Sequence, residues 1–289
     1  MVLVTDELIS QFRENGFAVV PGFLNLEEVL ALKKATNEVL QEYCQNLPIS
    51  VFKSSQSTES RDRYFADSGD KIRGFFEEST VSKDGKILVE KPEDGLNKVG
   101  HALHKFHPKF NELTINGKVE EISKKLTDIE EPTVMQSMVI FKHPKVGGEV
   151  KPHQDATYLY TEPSYSKLIG FWIALDEASL ENGCLHFAPG SHKPQKIYQR
   201  FIKNPDASSS TLFIHRGEDI PIPQRSELVA APAKPGDLVL IDGLVIHQSE
   251  PNSSDKRRMA YTFHVVDGKA KWSDENWLQP TAEGTFMRL

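Results

Sequence analysis

The strongest constraint on the fold is the change of pattern that follows Pro132. From there on, short apolar runs of strand length alternate with turn residues. Regularly spaced short strands separated by turns predict a β-sandwich or barrel. Even the most apolar runs are far too short to span a membrane. The predicted strands are Thr133–Lys142, His153–Thr157, Leu168–Leu175, Cys184–Phe187, Leu238–Ile241 and Met259–Val266.

The first 131 residues are expected to be mainly helical. Thr5 is a candidate N-cap for a helix that Gly16 ends, and Asn25 for a longer helix from Leu26 to about Tyr43. A third helix is predicted over Phe110–Leu126, with Gly117 weakening it. Residues 1–289 are therefore predicted to form a single domain, in which a helical buttress (mainly 1–131) supports a β core (mainly 132–270). Further predictions are a strand over Lys71–Glu78, a helix or an extended segment over Leu96–Phe106, an exposed loop over Ser54–Ser60 and an insertion loop over Lys193–Gln224.

Charge and cysteine content exclude several classes of protein. The formal net charge of −7 argues against nucleic acid or an anionic membrane as a partner of the whole surface. Two cysteines in different segments are too few for a disulfide scaffold and fit a reducing compartment. The first ten residues lack the pattern of a secretory signal, and the last residues, Phe286–Leu289, are not a Ser-Lys-Leu type peroxisomal address. A cytoplasmic location is the expectation.

The tripeptide His153-Gln154-Asp155 carries the first sign of chemistry. In a strand, side chains two residues apart point to the same face, so His153 and Asp155 would project together. Taken alone, this tripeptide is more often a chance surface pair. A second imidazole is available at His247, although an isolated histidine in such a segment is more often a satisfied core residue. Two histidines and one carboxylate on one face of a metal ion form the facial triad of non-haem Fe(II) oxygenases.

Two residues near His247 are suited to binding a carboxylate. Ser249 shares the face of His247 if the strand continues, and it offers a hydroxyl donor. Arg258 begins the next predicted strand, and its guanidinium can present a bidentate fork to a carboxylate. The alternative for Arg258 is a surface salt bridge.

The sequence resembles the phytanoyl-CoA dioxygenase family of Fe(II)- and 2-oxoglutarate-dependent oxygenases. The resemblance covers nearly the whole chain, and within the family it points to the domain-containing branch rather than to the acyl-CoA hydroxylase itself. It implies a double-stranded β-helix core, also described as a jelly roll or cupin-like fold. The motifs that carry it are His153–Asp155, His247–Ser249, Arg258, Glu181–Leu185, Pro189–His192, Phe12, Gly16-Phe17, Gly22–Leu24, Ser68–Arg73, Leu96–His104 and Glu275–Thr281.

The resemblance implies a role for each matching residue. His153, Asp155 and His247 would bind iron, and Arg258 and Ser249 would bind the distal carboxylate of 2-oxoglutarate. Without the resemblance, Lys98 would be interpreted as a solvated lysine, and Met138 and Trp172 as core residues of β-strands. His192 would be an outer partner of the site or a histidine that stabilises a turn. The further cofactor-pocket positions are Lys98, Met138, Gln154 and Trp172.

The same resemblance implies the reaction. An enzyme of this class uses O₂ and 2-oxoglutarate, releases succinate and CO₂ and hydroxylates a substrate, with ascorbate as reductant. Asp155 favours hydroxylation, because related halogenases lack this carboxylate. The substrate is expected to be a small or lipid-like molecule other than phytanoyl-CoA, and the oligomeric state is left open. The alternatives are a non-catalytic sensor or partner-binding protein that binds metal and 2-oxoglutarate, and a cupin-like protein with another divalent metal.

Overall fold

The computed structural model describes residues 4–44, 47–52, 63–162, 167–205, 211–280 and 285–289. The loop predicted over residues 54–60 lies outside these ranges. The helices are α1 (Asp6–Asn15), α2 (Leu26–Tyr43), α3 (Arg63–Ala66), α4 (Leu103–Phe106), α5 (Pro108–Thr114) and α6 (Gly117–Thr127), with 3₁₀ turns at Glu78–Thr80, Pro92–Gly95, Asp155–Thr157 and Arg225–Glu227. The strands are β1 (Phe17–Val20), β2 (Val51–Phe52), β3 (Ile72–Glu77), β4 (Leu96–His101), β5 (Pro132–Lys142), β6 (Val150–His153), β7 (Thr161–Glu162), β8 (Leu168–Ala174), β9 (Leu185–Phe187), β10 (Gln199–Lys203), β11 (Thr211–His215), β12 (Val229–Ala231), β13 (Leu238–Asp242), β14 (His247–Ser249), β15 (Arg258–Asp267), β16 (Lys271–Trp272) and β17 (Met287–Arg288).

Two sheets form the core. The larger sheet has the order β1-β13-β8-β15-β5-β4-β3-β2, with β17 beside β5, and the smaller sheet has the order β12-β9-β14-β6. All these neighbours are antiparallel except β2 and β3. The predicted mainly-β fold with flanking helices and a jelly-roll core is confirmed.

The helices cover one face of the larger sheet. Phe12 of α1, Leu32 of α2 and Ile122 of α6 share a buried apolar cluster with Tyr261 and Phe263 of β15. Because side chains alternate along a strand, the even-numbered residues of β15 point to the opposite face, towards the smaller sheet. Packing against the helices thus fixes which residues of β15 face the space between the sheets.

Local sequence signals account for the first two helices. The Thr5 hydroxyl accepts a hydrogen bond from Leu8 N at 3.2 Å, and Gly16 ends α1 at a φ of 82°. Asn25 and Glu28 form a reciprocal capping box at the start of α2. These two predictions are confirmed, as is the strand over β3.

Three sequence predictions were wrong or incomplete. The helix over Phe110–Leu126 is two helices, because the Asn116 side chain accepts hydrogen bonds from Lys118 N and Val119 N and so starts α6 anew. The strand over His153–Thr157 ends at His153, and a 3₁₀ turn begins at Asp155. The insertion loop over Lys193–Gln224 contains the antiparallel pair β10 and β11.

The first 131 residues are also less helical than expected. They supply β1 at one edge of the larger sheet and β2, β3 and β4 at the other. Leu96–Phe106, which the sequence left as helical or extended, is both: β4 followed by the short helix α4. None of the helices in the described ranges is long and apolar enough to cross a membrane.

Candidate active site

A cavity of about 160 Å³ lies between the two sheets. Alternate residues of β5 and β15 form one wall, and β6 and β14 of the smaller sheet form the wall opposite. In the first wall, the register between β5 and β15 places pairs of residues side by side. Arg258 faces Lys142 at one end, and His264 faces Gln136 at the other. The cavity therefore has two chemically different ends.

The three residues predicted to bind metal meet at this cavity. His153 ends β6 and is the direct register partner of His247 at the start of β14. Asp155 Oδ1 lies 3.7 Å from Nε2 of each histidine, and the three donor atoms are within 4.8 Å of one another. Asp155 reaches this position from the first residue of a 3₁₀ turn, and not from a continuous strand as expected.

Hydrogen bonds to the backbone orient both imidazoles. His153 Nδ1 donates to Lys151 O at 2.9 Å, and His247 Nδ1 donates to Val245 O at 3.1 Å. A carbonyl can only accept, so the proton of each neutral ring is on Nδ1 and the Nε2 lone pair is free for a metal ion. Such second partners fix the tautomer and the direction of metal-binding histidines.

His264 holds the remaining oxygen of Asp155. Its Nε2 donates to Asp155 Oδ2 at 3.0 Å, and the residue is 6% exposed. Gly170 on the neighbouring strand β8 permits this pair, because a Cβ there would lie 3.2 Å from Asp155 Oδ2 and 3.3 Å from His264 Nε2. Sequence reasoning missed His264, although the period of two along β15 that starts at Arg258 reaches it six residues later.

The protonation states suit a metal site. Burial and the neighbouring His247 lower the pKa of His153 to about 4, so its ring is neutral near pH 7. Burial of Asp155 opposes its ionisation, but the neighbouring His264, His247 and His153 outweigh that effect and hold its pKa well below the usual range. The site therefore offers two imidazoles and one carboxylate, which is the donor set of a non-haem Fe(II) centre.

Arg258 and Ser249 form the basic end of the cavity. Arg258 is 2% exposed, and its Nη1 donates to Gly183 O at 3.0 Å. Its Nε is buried without a partner among the described residues, and the guanidinium lies 5.4 Å from the centre of the Trp172 ring. Burial lowers the pKa of Arg258 to about 10, which leaves it cationic near neutral pH. Ser249 follows His247 on β14 and shares its buried face, as predicted.

The structure adds Lys142 to the basic end. Lys142 is the register partner of Arg258 and is 2% exposed. Its ammonium donates to Gly148 O and, at 2.7 Å, to Glu250 O. Burial, reinforced by the Arg258 charge, lowers its pKa to about 7. No pattern in the sequence distinguishes this lysine from the solvent-exposed ones.

The other predicted pocket residues divide into two groups. Lys98, Met138 and Trp172 line the cavity, and the Lys98 ammonium lies 3.4 Å from the centre of the Phe52 ring. Gln154 is fully buried but lies outside the cavity lining. Its Nε2 donates to Lys196 O at 2.9 Å and to Leu244 O at 2.8 Å, and its Oε1 accepts from Tyr198 N at 3.3 Å.

His192 also lies away from the cavity. Its Nε2 donates to Arg13 O at 3.0 Å, which joins the turn after β9 to α1. This contact matches the turn-stabilising alternative for His192 rather than a place beside the triad.

Comparison with known sequences identifies the family. The model of the phytanoyl-CoA dioxygenase (PhyH) family matches residues 12–260. The chain belongs to the phytanoyl-CoA dioxygenase family. It is 42% identical over 296 residues to phytanoyl-CoA dioxygenase domain-containing protein 1 of Danio rerio, with 100% of this chain and 99% of that one covered. The protein of the same name from Bos taurus is 44% identical, with 100% and 99% covered.

Several solved structures have the same fold as this chain, although their sequence identity to it is low. SnoK, a non-haem α-ketoglutarate-dependent carbocyclase from nogalamycin biosynthesis, has a TM-score of 0.62 at 21% identity, covering 94% of this chain and 87% of its own. The apo form of EctD from S. alaskensis has a TM-score of 0.64 at 17% identity, covering 94% and 80%. This phytanoyl-CoA dioxygenase family chain thus combines the fold of 2-oxoglutarate- and iron-dependent oxygenases with a His-Asp-His site.

Proposed function

We propose that the protein is an Fe(II)- and 2-oxoglutarate-dependent dioxygenase that hydroxylates a small-molecule or lipid-like substrate. One observation carries the proposal: in each of His153, Asp155 and His247, one polar atom is bonded to the protein and the other points to a common centre. Residues 1–289 would act as a single domain, because strands from its first part extend the sheet that lines the cavity.

Iron would be held by Nε2 of His153, Nε2 of His247 and Oδ1 of Asp155. When bound, iron and 2-oxoglutarate supply the oxidising chemistry, in which O₂ is consumed, succinate and CO₂ are released, and a substrate C–H becomes C–OH, with ascorbate keeping the metal reduced. The protein contributes fixed ligands and a largely apolar enclosure that limits access of water. His264 would keep Asp155 ionised and correctly turned.

2-Oxoglutarate would lie between the triad and the basic end. The unpartnered Nε of Arg258 and the Ser249 hydroxyl supply donors for its distal carboxylate. Met138 and Trp172 would pack against its carbon chain, with Lys98 as a further cation in the same wall. Gln154 would not contact 2-oxoglutarate. From outside the cavity, it would hold the backbone between His153 and Asp155 in place.

We also propose that the natural substrate is not phytanoyl-CoA. The relatives with 42–44% identity bear the designation "domain-containing protein 1", whereas the Arabidopsis thaliana relative named phytanoyl-CoA dioxygenase is 37% identical. The substrate hypothesis is independent of the cofactor hypothesis, so the two need separate measurements.

The test is succinate formation by purified protein supplied with Fe(II), 2-oxoglutarate, ascorbate and O₂. We expect slow, iron-dependent succinate release without added substrate, and little acceleration by phytanoyl-CoA, because a pocket shaped for another molecule does not bring a C–H to the metal. Asp155→Ala should abolish the signal, and so should His153→Ala. Asp84→Ala, the same change at an exposed carboxylate outside the cavity lining, is the control and should leave the signal unchanged.

Three results would count against these proposals. Full 2-oxoglutarate turnover in Asp155→Ala would show that the metal ligands are assigned incorrectly. A large stimulation by phytanoyl-CoA with a hydroxylated acyl product would refute the substrate hypothesis alone. No succinate under any condition, with iron and 2-oxoglutarate shown to be bound, would favour a sensor.

A further inference from the structure

The basic end of the cavity contains two buried cations side by side. Lys142 on β5 and Arg258 on β15 are register partners, and each residue is 2% exposed. Residues that lie directly opposite each other in an antiparallel pair point to the same face of the sheet, with their Cβ atoms roughly 5 Å apart. Both residues line the cavity, so two positive charges share one small space.

The two side chains also approach the same segment of backbone. Arg258 Nη1 donates to Gly183 O at 3.0 Å. The Lys142 chain passes so close to Gly183 that a Cβ on this glycine would lie 2.9 Å from Lys142 Cδ and 3.2 Å from its Cε. The Lys142 ammonium then donates at 2.7 Å to the carbonyl oxygen of Glu250, the residue after Ser249. The guanidinium, the ammonium and the Ser249 hydroxyl therefore belong to the same end of the cavity.

The described residues supply no ion-pair partner for these two cations. Every hydrogen bond that the two side chains donate within the described ranges goes to a backbone carbonyl, which carries only a partial charge. Asp155 is the one carboxylate among the described residues of the cavity lining, and it is bonded to His264. The remaining lysines of the lining, Lys98 and Lys151, add positive charge. Because buried charges are normally paired, the basic end is suited to an anionic ligand.

Charged groups on several neighbouring segments act on Lys142. Burial, together with the charge of Arg258, lowers the pKa of Lys142 to about 7. Three acids oppose this effect without forming an ion pair with Lys142 in the described ranges: Glu77 at the end of β3, Glu149 before β6 and Glu250 after β14. The Cys184 thiol beside Arg258 adds no negative charge near neutral pH, because burial raises its pKa.

The two cations differ in how readily they lose a proton. An arginine side chain keeps its proton in proteins, whereas a buried lysine beside another cation releases its proton readily. An anion within about 4–6 Å has the opposite effect, because it favours the charged form. Lys142 is therefore the group whose charge depends on whether an anion occupies the basic end.

We propose that Lys142 is a second anchor for the distal carboxylate of 2-oxoglutarate and takes up a proton from solvent when that carboxylate binds. The proposal rests on the proposed function for the identity of the ligand. Lys142 would bind the co-substrate together with Arg258 and Ser249, without taking part in the oxidation. Below a pH of about 7 Lys142 is charged before binding, so the affinity is constant; above it, each bound molecule requires one proton, so the affinity falls.

The experiment compares two oxo acids on the full-length protein, with Zn(II) in place of iron so that no turnover occurs. 2-Oxoglutarate and 2-oxopentanoate share the 1-carboxylate, the 2-oxo group and the chain length, but 2-oxopentanoate ends in a methyl group. Titration of the metal site affects both ligands, so the ratio of their dissociation constants reports on the distal carboxylate. We expect the dissociation constant of 2-oxoglutarate to rise about tenfold more than that of 2-oxopentanoate between about pH 6 and pH 8, as uptake of one proton requires.

Three variants separate the charge of Lys142 from its packing. Lys142→Arg keeps a positive charge that does not titrate in this range, so 2-oxoglutarate binding should lose its extra pH dependence. Lys142→Met keeps the apolar part of the side chain without the charge, and at pH 6 it should bind 2-oxoglutarate about tenfold more weakly than the wild type while binding 2-oxopentanoate equally well. The control is Lys34→Met on α2, whose side chain is 81% exposed and lies outside the cavity lining, and it should behave as the wild type.

Calorimetry in two buffers of different ionisation enthalpy counts the protons directly. At pH 8, 2-oxoglutarate should take up about one proton more than 2-oxopentanoate in the wild type and none more in Lys142→Arg. A lysine with a purely structural role would change the affinity but not this count.

Two results would overturn the proposal alone: an equal pH dependence of the two oxo acids in the wild type, or an unchanged proton count in Lys142→Arg. If 2-oxoglutarate does not bind at any pH, the proposed function fails together with this proposal.

Discussion

Replacing His264 with phenylalanine should weaken Fe(II) binding by roughly 10- to 100-fold, the usual effect of losing the outer partner of a metal ligand. The structure supports this size of effect. Asp155 is 8% exposed, and His264 is the side chain that bonds its Oδ2, at 3.0 Å. A hydrogen bond to a charged group contributes about 1.5–3 kcal/mol, which corresponds to about 10- to 150-fold in affinity. Phenylalanine keeps the planar ring and the fit beside Gly170, so the lost donor is the main change.

The assay is anaerobic titration of the metal-free protein with Fe(II) against a chromophoric chelator, with circular dichroism to verify the fold. His264→Gln provides a second variant, because its amide NH₂ can donate from nearly the same position and should restore part of the affinity. The matched control is His186→Phe on β9, since this residue lies outside the cavity lining. An unchanged Fe(II) affinity in correctly folded His264→Phe would refute the idea that His264 orients Asp155.

Three further predictions concern the cofactor anchor and the stability of the fold. Arg258→Ala should weaken 2-oxoglutarate binding by well over tenfold, because removing one partner of a buried charge pair costs about 2–5 kcal/mol. Arg258→Lys should restore only part of the lost affinity. Equilibrium binding of 2-oxoglutarate measures both effects, and an unchanged dissociation constant in Arg258→Ala would show that another residue anchors the carboxylate. Burial of Asp267 opposes its ionisation, but hydrogen bonds from Lys167 and from backbone N–H groups outweigh this and lower its pKa to about 2. A depressed pKa stabilises the protein above the unfolded value of about 4, so Asp267→Asn should lower the free energy of unfolding by about 2 kcal/mol near pH 7, and urea denaturation should show the difference shrinking as the pH falls towards about 2. Asn116→Ala should lower the free energy of unfolding by about 1 kcal/mol, because it removes the cap of α6. Thermal unfolding measures this change, and an unchanged stability would contradict the prediction.

Much of the fold followed from local sequence patterns. The caps at Thr5 and Asn25 use side chains within three residues of the groups they bond, so the sequence specifies them directly. Strands such as β8 and β13 were predictable because continuous apolar runs have few alternatives. The break at Asn116 was missed because the apolar period continues across it, and only the side-chain bonds of the asparagine show that a new helix begins.

For the candidate site, too, some features could be predicted from the sequence and others depended on the tertiary structure. The sequence by itself determined the triad and Arg258 as candidates, because metal and carboxylate chemistry allows few residue types and the spacing along a strand limits their direction. Only the tertiary structure decided what stands opposite each of them. His264 bonds Asp155 across 109 positions of sequence, and Arg200 bonds Glu275 across 75. Gln154 is close to the metal ligands in sequence but not in its contacts. It lies between His153 and Asp155 in the chain, yet its side chain points away from them. The physical reason is that the period of a strand gives the face of a residue, whereas the pairing register and the packing of the two sheets give its partner.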